Sequence, residues 1–493
     1  MAIPLIPFPE SLRPPLPTIE GNVDYRQLRD QLLRIEELLK LTGSEARFVA
    51  HALESWAQGH PRISVRAQLN FQLHTRRALR CNILRTLLQE DFRGFAVHLA
   101  DSPLFQYFCG LAELDRVVVP SKSTLQRYAH WTDQPTLDRL IHELLGQAHT
   151  QPKALRLKEA IDLDTCFLDT TCVEANIHYP VDWVLLRDAT RTLMKAIELI
   201  RDQGLRHRME APAVFMTRMN RLCIAMTHAP KQADGQRHRK KVLRKMDRLI
   251  GTVRAHAQRY RQLLDAQWPQ TEWTRPQTEQ VLRRLDGVLQ PLPAARAQAR
   301  QRILAEQPVD NKDKILSLYE ADVRVIVRHK AGAEVEFGNT LFLAESRQGL
   351  LLDWDLFRET APQDARLVVN RVERIEQNLA IKIKEVVADR GFDSAQNQAH
   401  LTRKKIYNGL CPRQPQQLRQ RMGSWKFARL QRRRSQTEAR IAIFLHNFLG
   451  EPLRAKGFGH RQLAVGWGVL THNLWVLARL PQLKPRAKLA VAA

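Results

Sequence analysis

The feature that most constrains the fold is a long helical stretch that separates the strand-type segments. Residues 159–180 place apolar side chains such as Phe167 among threonine and cysteine, as short strands do. Strand patterns return only at 321–356, and residues 186–316 between them have helical spacing. We therefore predict an α/β protein with large all-α parts, in which a mixed sheet flanked by helices is interrupted by a long helical insertion.

The remaining segments complete the predicted domain organisation. From about residue 24 to 150 leucine and isoleucine recur at helical spacing, and 493 residues are too many for one ordinary core. The proline-rich start predicts an extended arm, and the end a basic tail. The expected units are an arm at 1–22, a helical N-terminal domain at 23–150, a sheet domain at 151–185 and 317–480, the helical insertion at 186–316 and the tail at 481–493.

Charge and composition narrow the class of protein. The 77 Lys and Arg against 51 Asp and Glu give a net charge of +26, which implies a polyanionic partner or an anionic surface, and nucleic acid is favoured. No stretch approaches the roughly 20 apolar residues of a membrane span, so we expect a cytoplasmic protein without a membrane partner. The six cysteines have no zinc-ligand spacing and are expected to be reduced and mostly buried.

Two helical regions carry candidate DNA contacts. Residues 237–261 contain ten basic residues against the single acid Asp247, among them the candidates Lys240, Lys241 and Arg244. Such a run indicates either phosphate contact or a solvated face.

The second region is 120–128, where hydroxyls precede a helix that carries Arg127 and Tyr128. This helix is expected to lie on DNA phosphates as in a helix-turn-helix, or to be an ordinary capped helix of a bundle.

A third basic segment spans residues 402–434, which contain no acid. Its basic residues are interspersed with Tyr407, Trp425 and Phe427, a mixture that suits a DNA groove and an unpaired flanking base. A disordered basic loop is the alternative. The candidate contacts in this segment are Lys404, Lys405, Arg432, Arg433 and Arg434.

Three acids stand out as candidate catalytic residues. Asp389 follows a buried strand at 383–388, and Asp169 is expected at or near the end of its own strand; each could instead serve only to form a turn or cap. Glu438 precedes apolar residues at i+3, i+7 and i+10, which predicts that it lies on the face of its helix that packs against the sheet. A plain ion pair with Arg434 is the alternative there.

Converging carboxylates require compensation. Asp169, Asp389 and Glu438 would repel one another unless divalent cations filled the space between them. Magnesium prefers such hard oxygen ligands and completes its shell with phosphate. Two ions at such a site activate an attacking oxygen and steady a leaving oxygen on one phosphodiester, so Mg2+ is the expected cofactor, with Mn2+ as a substitute.

An ordered set of motifs resembles a known family. The motifs are Leu168–Pro180, Lys330-Ala-Gly with Glu336-Phe-Gly338, Ala388–Phe392, Arg434–Glu438 and Asn473-Leu-Trp475. Together they resemble the DDE transposases of bacterial insertion sequences. The resemblance implies an RNase H-like catalytic domain with Asp169, Asp389 and Glu438 as the metal-binding acids.

The resemblance also implies partners. The N-terminal helices would bind the terminal inverted repeats of the element, and the enzyme would cut and join double-stranded DNA as a homodimer or larger assembly, associated with the nucleoid. In the family signature Tyr-x2-Arg-x3-Glu-x6-Lys, Arg434 and Glu438 match, whereas Gln431 and Leu445 replace the tyrosine and the lysine. A DNA-binding protein without catalysis and a nuclease without strand transfer are the alternatives.

Overall fold

A computed structural model describes residues 5–6, 13, 15–60, 63–113, 115–231, 234–330 and 333–483. Half of the predicted arm and most of the predicted tail therefore lie outside the described residues. The chain is mixed α/β and mostly helical. Its helices are α1 Val23–Leu41, α2 Ser44–Gln58, α3 Val65–Leu88, α4 Phe92–Asp101, α5 Pro103–Cys109, α6 Lys122–Ala129, α7 Gln134–Thr150, α8 Asp182–Asp202, α9 Pro212–His228, α10 Gly235–Gln267, α11 Arg275–Leu289, α12 Leu292–Ala299, α13 Val368–Leu379, α14 Ala395–Arg403, α15 Pro415–Met422, α16 Trp425–Phe444 and α17 Phe458–Arg479.

In the described part of the chain, six strands form one mixed sheet. They are β1 Thr165–Glu174, β2 Arg324–Lys330, β3 Ala333–Glu345, β4 Leu351–Leu356, β5 Glu385–Ala388 and β6 Tyr407–Leu410. The order is β2-β3-β1-β5-β6, and β4 also pairs with β3. β1 pairs antiparallel with β3 and parallel with β5, and β6 is parallel to β5. The parallel connections run through α13 and α14, as crossovers between parallel strands do.

The two faces of the sheet have different covers. Leu168, Val386 and Ala388 belong to the large hydrophobic core, whereas Phe167 and Val387 pack with Leu430 of α16. Because successive side chains of a strand point to opposite faces, the odd-numbered residues of β1 and β5 lie on the α16 side. This parity decides where the acids lie.

The N-terminal helices share one core with the sheet. Leu32, Leu79 and Leu144 of these helices are in the same cluster as Leu343 of β3 and Leu470 of α17. Helix α17 is buried along most of its length. The boundary expected near residue 150 is therefore not a boundary between hydrophobic cores.

The helical insertion has its own core. Helices α8 to α12 bury a separate cluster, in which α10 supplies a seam through Val242, Met246, Val253 and Tyr260. Asp247, the single acid among the basic residues of α10, pairs with Arg296 of α12 and with Arg300 just after it.

The strand predictions at 321–356 needed correction. The sequence predicted a turn at 330–339 and a three-stranded meander, but β3 begins at Ala333, and β2 and β4 lie along one edge of β3 while β1 lies along the other. Residues 331–332, where the turn would lie, are outside the described residues. Within β3, position 338 requires glycine, because a Cβ there would overlap the carbonyl oxygen of Val173 on the neighbouring strand.

Other features agree with expectation or extend it. All six cysteines are free, and four of them are buried. The helix expected over 433–449 begins earlier, at Trp425, and a π-helical turn at Leu445–Leu449 follows it. None of the helices in the described ranges is both long enough and apolar enough to cross a membrane.

Candidate active site

Asp169 lies in the middle of β1, not at the end of the strand as predicted. The β-forming residues Thr170 and Thr171 continue the strand to Glu174, paired throughout with β3. Asp169 shares the parity of Phe167, so its carboxylate is on the α16 side of the sheet. Its Oδ1 accepts a hydrogen bond from the Thr170 amide at 2.8 Å.

Asp389 lies where the sequence predicted it. β5 ends at Ala388, and Leu168 of β1 is the register partner of Ala388, so Asp169 and Asp389 are the next residues along adjacent parallel strands. The carboxylate of Asp389 caps a short 3-10 turn by accepting from the Gly391 amide at 2.8 Å. Two of the three predicted acids therefore lie side by side on one face of the sheet.

Glu438 is on the helix that covers this face, but it does not point into the packed layer. Thr437, Ile441 and Phe444 form the buried stripe of α16, and Glu438 lies on its exposed flank. The prediction that Glu438 is on the packed face was wrong by one helical position. The described residues do not show the alternative, an ion pair between Arg434 and Glu438. Nε of Arg434 instead donates to Gln431 at 3.2 Å.

The pKa of Asp169 responds to the charges of the other two acids. Its pKa is raised to about 7, chiefly by burial and also by the charges of Asp389 and Glu438, while the Thr170 amide and the Arg434 guanidinium oppose the shift. Burial and like charges disfavour the ionised form of this carboxyl. It therefore either keeps a proton or needs a nearby cation to stay ionised. The three acids are thus close enough to act on one another.

The donor chemistry of this site fits magnesium. Its side chains offer only hard carboxylate oxygens, the ligands that Mg2+ prefers, and the partly exposed Asp169 and Asp389 leave positions for phosphate oxygens. Across the residues that the structure describes, no group of three or more His, Cys, Asp or Glu side chains is arranged so that it could hold a metal ion. Asp169 and Asp389 would be the ligands that the sheet supplies, and Glu438 the ligand that α16 supplies.

The sequence did not identify a fourth carboxylate at this place, that of Asp364. Thr170 Oγ1 donates to Asp364 Oδ1 at 3.0 Å. A Cβ on Gly391 would lie 2.8 Å from Asp364 Oδ2 and 3.1 Å from Asp389 Oδ1, so both oxygens border the space that the glycine leaves empty. Asp364 is therefore bonded to the residue that follows Asp169 and lies beside the turn that follows Asp389. In the sequence, Asp364 follows a segment without helical or strand spacing, so nothing local marks it as a site residue. Its position beside the site is visible only in the folded chain.

Replacing Asp364 with Asn should reduce magnesium-dependent cleavage of DNA by about 10- to 100-fold, the usual cost of losing a residue that orients metal ligands. The amide oxygen of Asn can still accept from Thr170, so the melting temperature should change little while the magnesium concentration needed for half-maximal activity rises. Asp310→Asn, an exposed acid outside the site, is the matched control. Unchanged activity and magnesium requirement would remove Asp364 from the site.

The raised pKa of Asp169 also predicts a pH-dependent effect of metal. Between about pH 4 and pH 7 the folded state retains a proton that the unfolded state releases, so the free energy of unfolding falls as pH rises through this window. Magnesium favours the ionised form. At matched ionic strength it should raise the melting temperature at about pH 8 far more than at about pH 5, and Asp169→Asn should abolish the difference. Equal shifts at both pH values would contradict the assignment.

The basic segment near the site is ordered rather than a loop, and its members have different roles. Arg433 does not fit the predicted DNA contact, because its side chain is mostly buried, pairs with Glu345 at 2.8 Å and lies over the Phe167 ring. Arg434 faces the carboxylate of Asp169, whose pKa it lowers. Arg432 and Lys405 are exposed, whereas Lys404 is shared with Glu373 and Glu376.

The remaining predicted contacts lie far from the acids in the chain. On α10, Lys241 and Arg244 are exposed, and Lys240 pairs with Glu306. On α6, the expected hydroxyl cap is present, since Ser121 accepts from the Thr124 amide. Arg127 is exposed, but Tyr128 is 1% exposed and cannot reach a DNA backbone as predicted.

Comparisons of the chain with protein-family models, with curated proteins and with solved structures found no match.

Proposed function

We propose that this chain is a DNA transposase that cleaves DNA strands at the ends of an insertion sequence and joins them to target DNA, using divalent cations held by Asp169, Asp389 and Glu438. The observation that carries the proposal is the position of Asp169 and Asp389 on adjacent parallel strands, beneath a helix that brings Glu438 near them. Carboxylates held by two adjacent strands and a covering helix can bind two metal ions that act on one phosphodiester.

The sheet supports the same proposal. Without β2, the strands run β4-β3-β1-β5-β6, with β3 antiparallel to both β4 and β1, and with β5 and β6 parallel to β1. One helix follows β4 and another follows β5. This connectivity is the one expected of an RNase H-like domain, and α8 to α12 would be an insertion between its first two strands.

The protein's own side chains have separable roles in such a reaction. When bound, two magnesium ions would activate the attacking oxygen and stabilise the leaving oxygen. Asp169 and Asp389 would hold the ions at a fixed place on the sheet, while Asp364 accepts a hydrogen bond from Thr170 and lies beside the Gly391 turn. Arg434, beside Asp169, is positioned to pair with a phosphate oxygen of the strand. The exposed cations Arg127, Lys241, Arg244, Lys405 and Arg432 supply phosphate contacts that do not depend on sequence.

Joining of DNA tests the proposal directly. The substrate is a labelled duplex carrying a short inverted repeat taken from the DNA that flanks the reading frame, mixed with a supercoiled plasmid. We expect magnesium-dependent transfer of the label to the plasmid, and none with Asp169→Asn. Cleavage without transfer would point to a nuclease, and DNA binding without cleavage to a DNA-binding protein that lacks catalysis.

A further inference from the structure

A stack of aromatic rings lines an open cleft on the N-terminal helices. Trp56 of α2 stacks on Phe71 of α3 with ring centroids 4.4 Å apart and planes 9° apart. Trp131, just after α6, also packs against Phe71, with ring centroids 5.5 Å apart and planes 26° apart. The cleft has a volume of about 600 Å3, and its other lining residues are Ser123, Gln126, Arg127 and His130.

Packing of the hydrophobic core does not account for the Trp56–Phe71 pair. Trp56 and Phe71 are half-buried and are not part of the core or of the apolar side chains packed against it. Trp131 is held in place by a hydrogen bond from Nε1 to Thr75 Oγ1 at 2.8 Å and by edge contact with Tyr128. A rigid ring platform that remains accessible to solvent is the kind of apolar surface that marks a binding site.

The polar residues around the rings indicate what the cleft binds. Arg127 and His130 bring cationic and hydrogen-bonding groups to its rim, and Gln126 and Ser123 offer donors and acceptors. Flat aromatic faces beside an arginine bind nucleobases by stacking, with little dependence on base identity. A base inside a duplex has both faces covered by its neighbours, so only an unpaired base can enter.

A second cavity adjoins the first and adds positive charge. It has a volume of about 620 Å3 and shares Gln126 and His130 with the cleft, and three cations, Arg85, Arg454 and Lys456, line it against two acids, Glu90 and Glu451. Within the described residues Arg85 has no ion pair with a carboxylate; its guanidinium donates to the Glu90 carbonyl at 3.5 Å and lies over the Phe92 ring. An uncompensated arginine in a cavity favours an anion, and a phosphate next to the stacked base would supply it.

We propose that the cleft between α2, α3 and α6 binds an unpaired nucleobase of a DNA strand, stacked on Trp56 at the end of the ring stack, with the flanking phosphates at Arg127 and in the Arg85 cavity. The inference rests on the proposed DNA-binding function and specifies the form of DNA that the N-terminal helices recognise. The protein would hold a frayed or single-stranded end as well as a duplex.

Fluorescent DNA provides the test. The probes are a blunt duplex and the same duplex with a five-nucleotide single-stranded extension that carries 2-aminopurine. Stacking of one base is expected to make the extended duplex bind about tenfold more tightly and to quench the 2-aminopurine. Trp56→Ala should remove both effects while binding of the blunt duplex persists. Tyr25→Ala, an exposed aromatic of α1 outside the cleft, should retain both.

A second variant guards against loss of folding. Ser123 is exposed, so Ser123→Trp should leave the fold intact and fill the cleft, with the same loss of preference and quenching. The proposal would be overturned if the two duplexes bound with equal affinity or if the 2-aminopurine were not quenched. It would also be overturned if both variants kept the preference, or if an RNA extension bound more strongly. Failure to join DNA while the preference persists would count against the transposase alone, and joining without the preference against the cleft alone.

Discussion

Asp389→Asn should abolish magnesium-dependent DNA cleavage while leaving DNA binding unchanged within about twofold. Asparagine has the same shape and can still accept the Gly391 amide hydrogen bond, so the 3-10 turn should persist. What is lost is the charge that holds a cation, and several kcal/mol of transition-state stabilisation correspond to about a thousand-fold in rate.

Single-turnover cleavage of labelled DNA, with gel-shift binding measured in parallel, checks this expectation. Asp202→Asn, an exposed acid at the end of α8, is the matched control and should cleave normally. Asp169→Asn should be as inactive as Asp389→Asn, and the double variant no worse, because the acids act as a unit. Loss of DNA binding with cleavage intact would show that Asp389 has another role.

Arg461→Met should destabilise the whole protein more than any change on its surface. Arg461 is 1% exposed, pairs with Glu320 just after the helical insertion, and donates from Nε to Asn339 Oδ1 at 2.9 Å. Methionine preserves the volume but leaves Glu320 buried without a cation, which costs about 3–5 kcal/mol of unfolding free energy.

Urea denaturation of single and paired variants measures this cost. Arg461→Met combined with Glu320→Gln should recover most of the loss, because no uncompensated charge remains. Arg275→Met, which breaks the half-exposed pair with Glu279 on α11, should cost less than about 1 kcal/mol. If the paired variant were as unstable as the sum of the two single variants, the charge argument would be wrong.

The sequence predicted the candidate site where local pattern decides structure. β5 consists of buried residues followed by an acid and a glycine turn, and this pattern was sufficient to locate Asp389. It was insufficient for Asp169, because the pairing that extends β1 to Glu174 comes from β3, whose glycine and charged residues resemble a turn. The close approach of the Val173 carbonyl that makes Gly338 acceptable in a strand is a tertiary fact.

Residues on α16 show the second limit of local pattern. A helical wheel places Glu438 near the apolar stripe but does not tell whether Thr437 or Glu438 is the member that packs inward. Likewise, a count of arginines does not reveal that Arg433 is committed to Glu345, which lies 88 residues earlier in the chain. Asp364 was missed for the same reason, since its partner Thr170 is 194 residues away.

The attachment of α16 to the sheet determines how much of the site is built in advance. Arg433 and Arg440, which bracket Glu438, both donate to Oε1 of Glu345 at the end of β3, at 2.8 and 2.7 Å. The helical turns that carry Glu438 are therefore clamped at two points, which fixes the backbone from which this glutamate projects. If Glu438 completes the site by a change of rotamer, ordering that one side chain would cost at most about 2 kcal/mol, with no hinge movement and no folding of a loop.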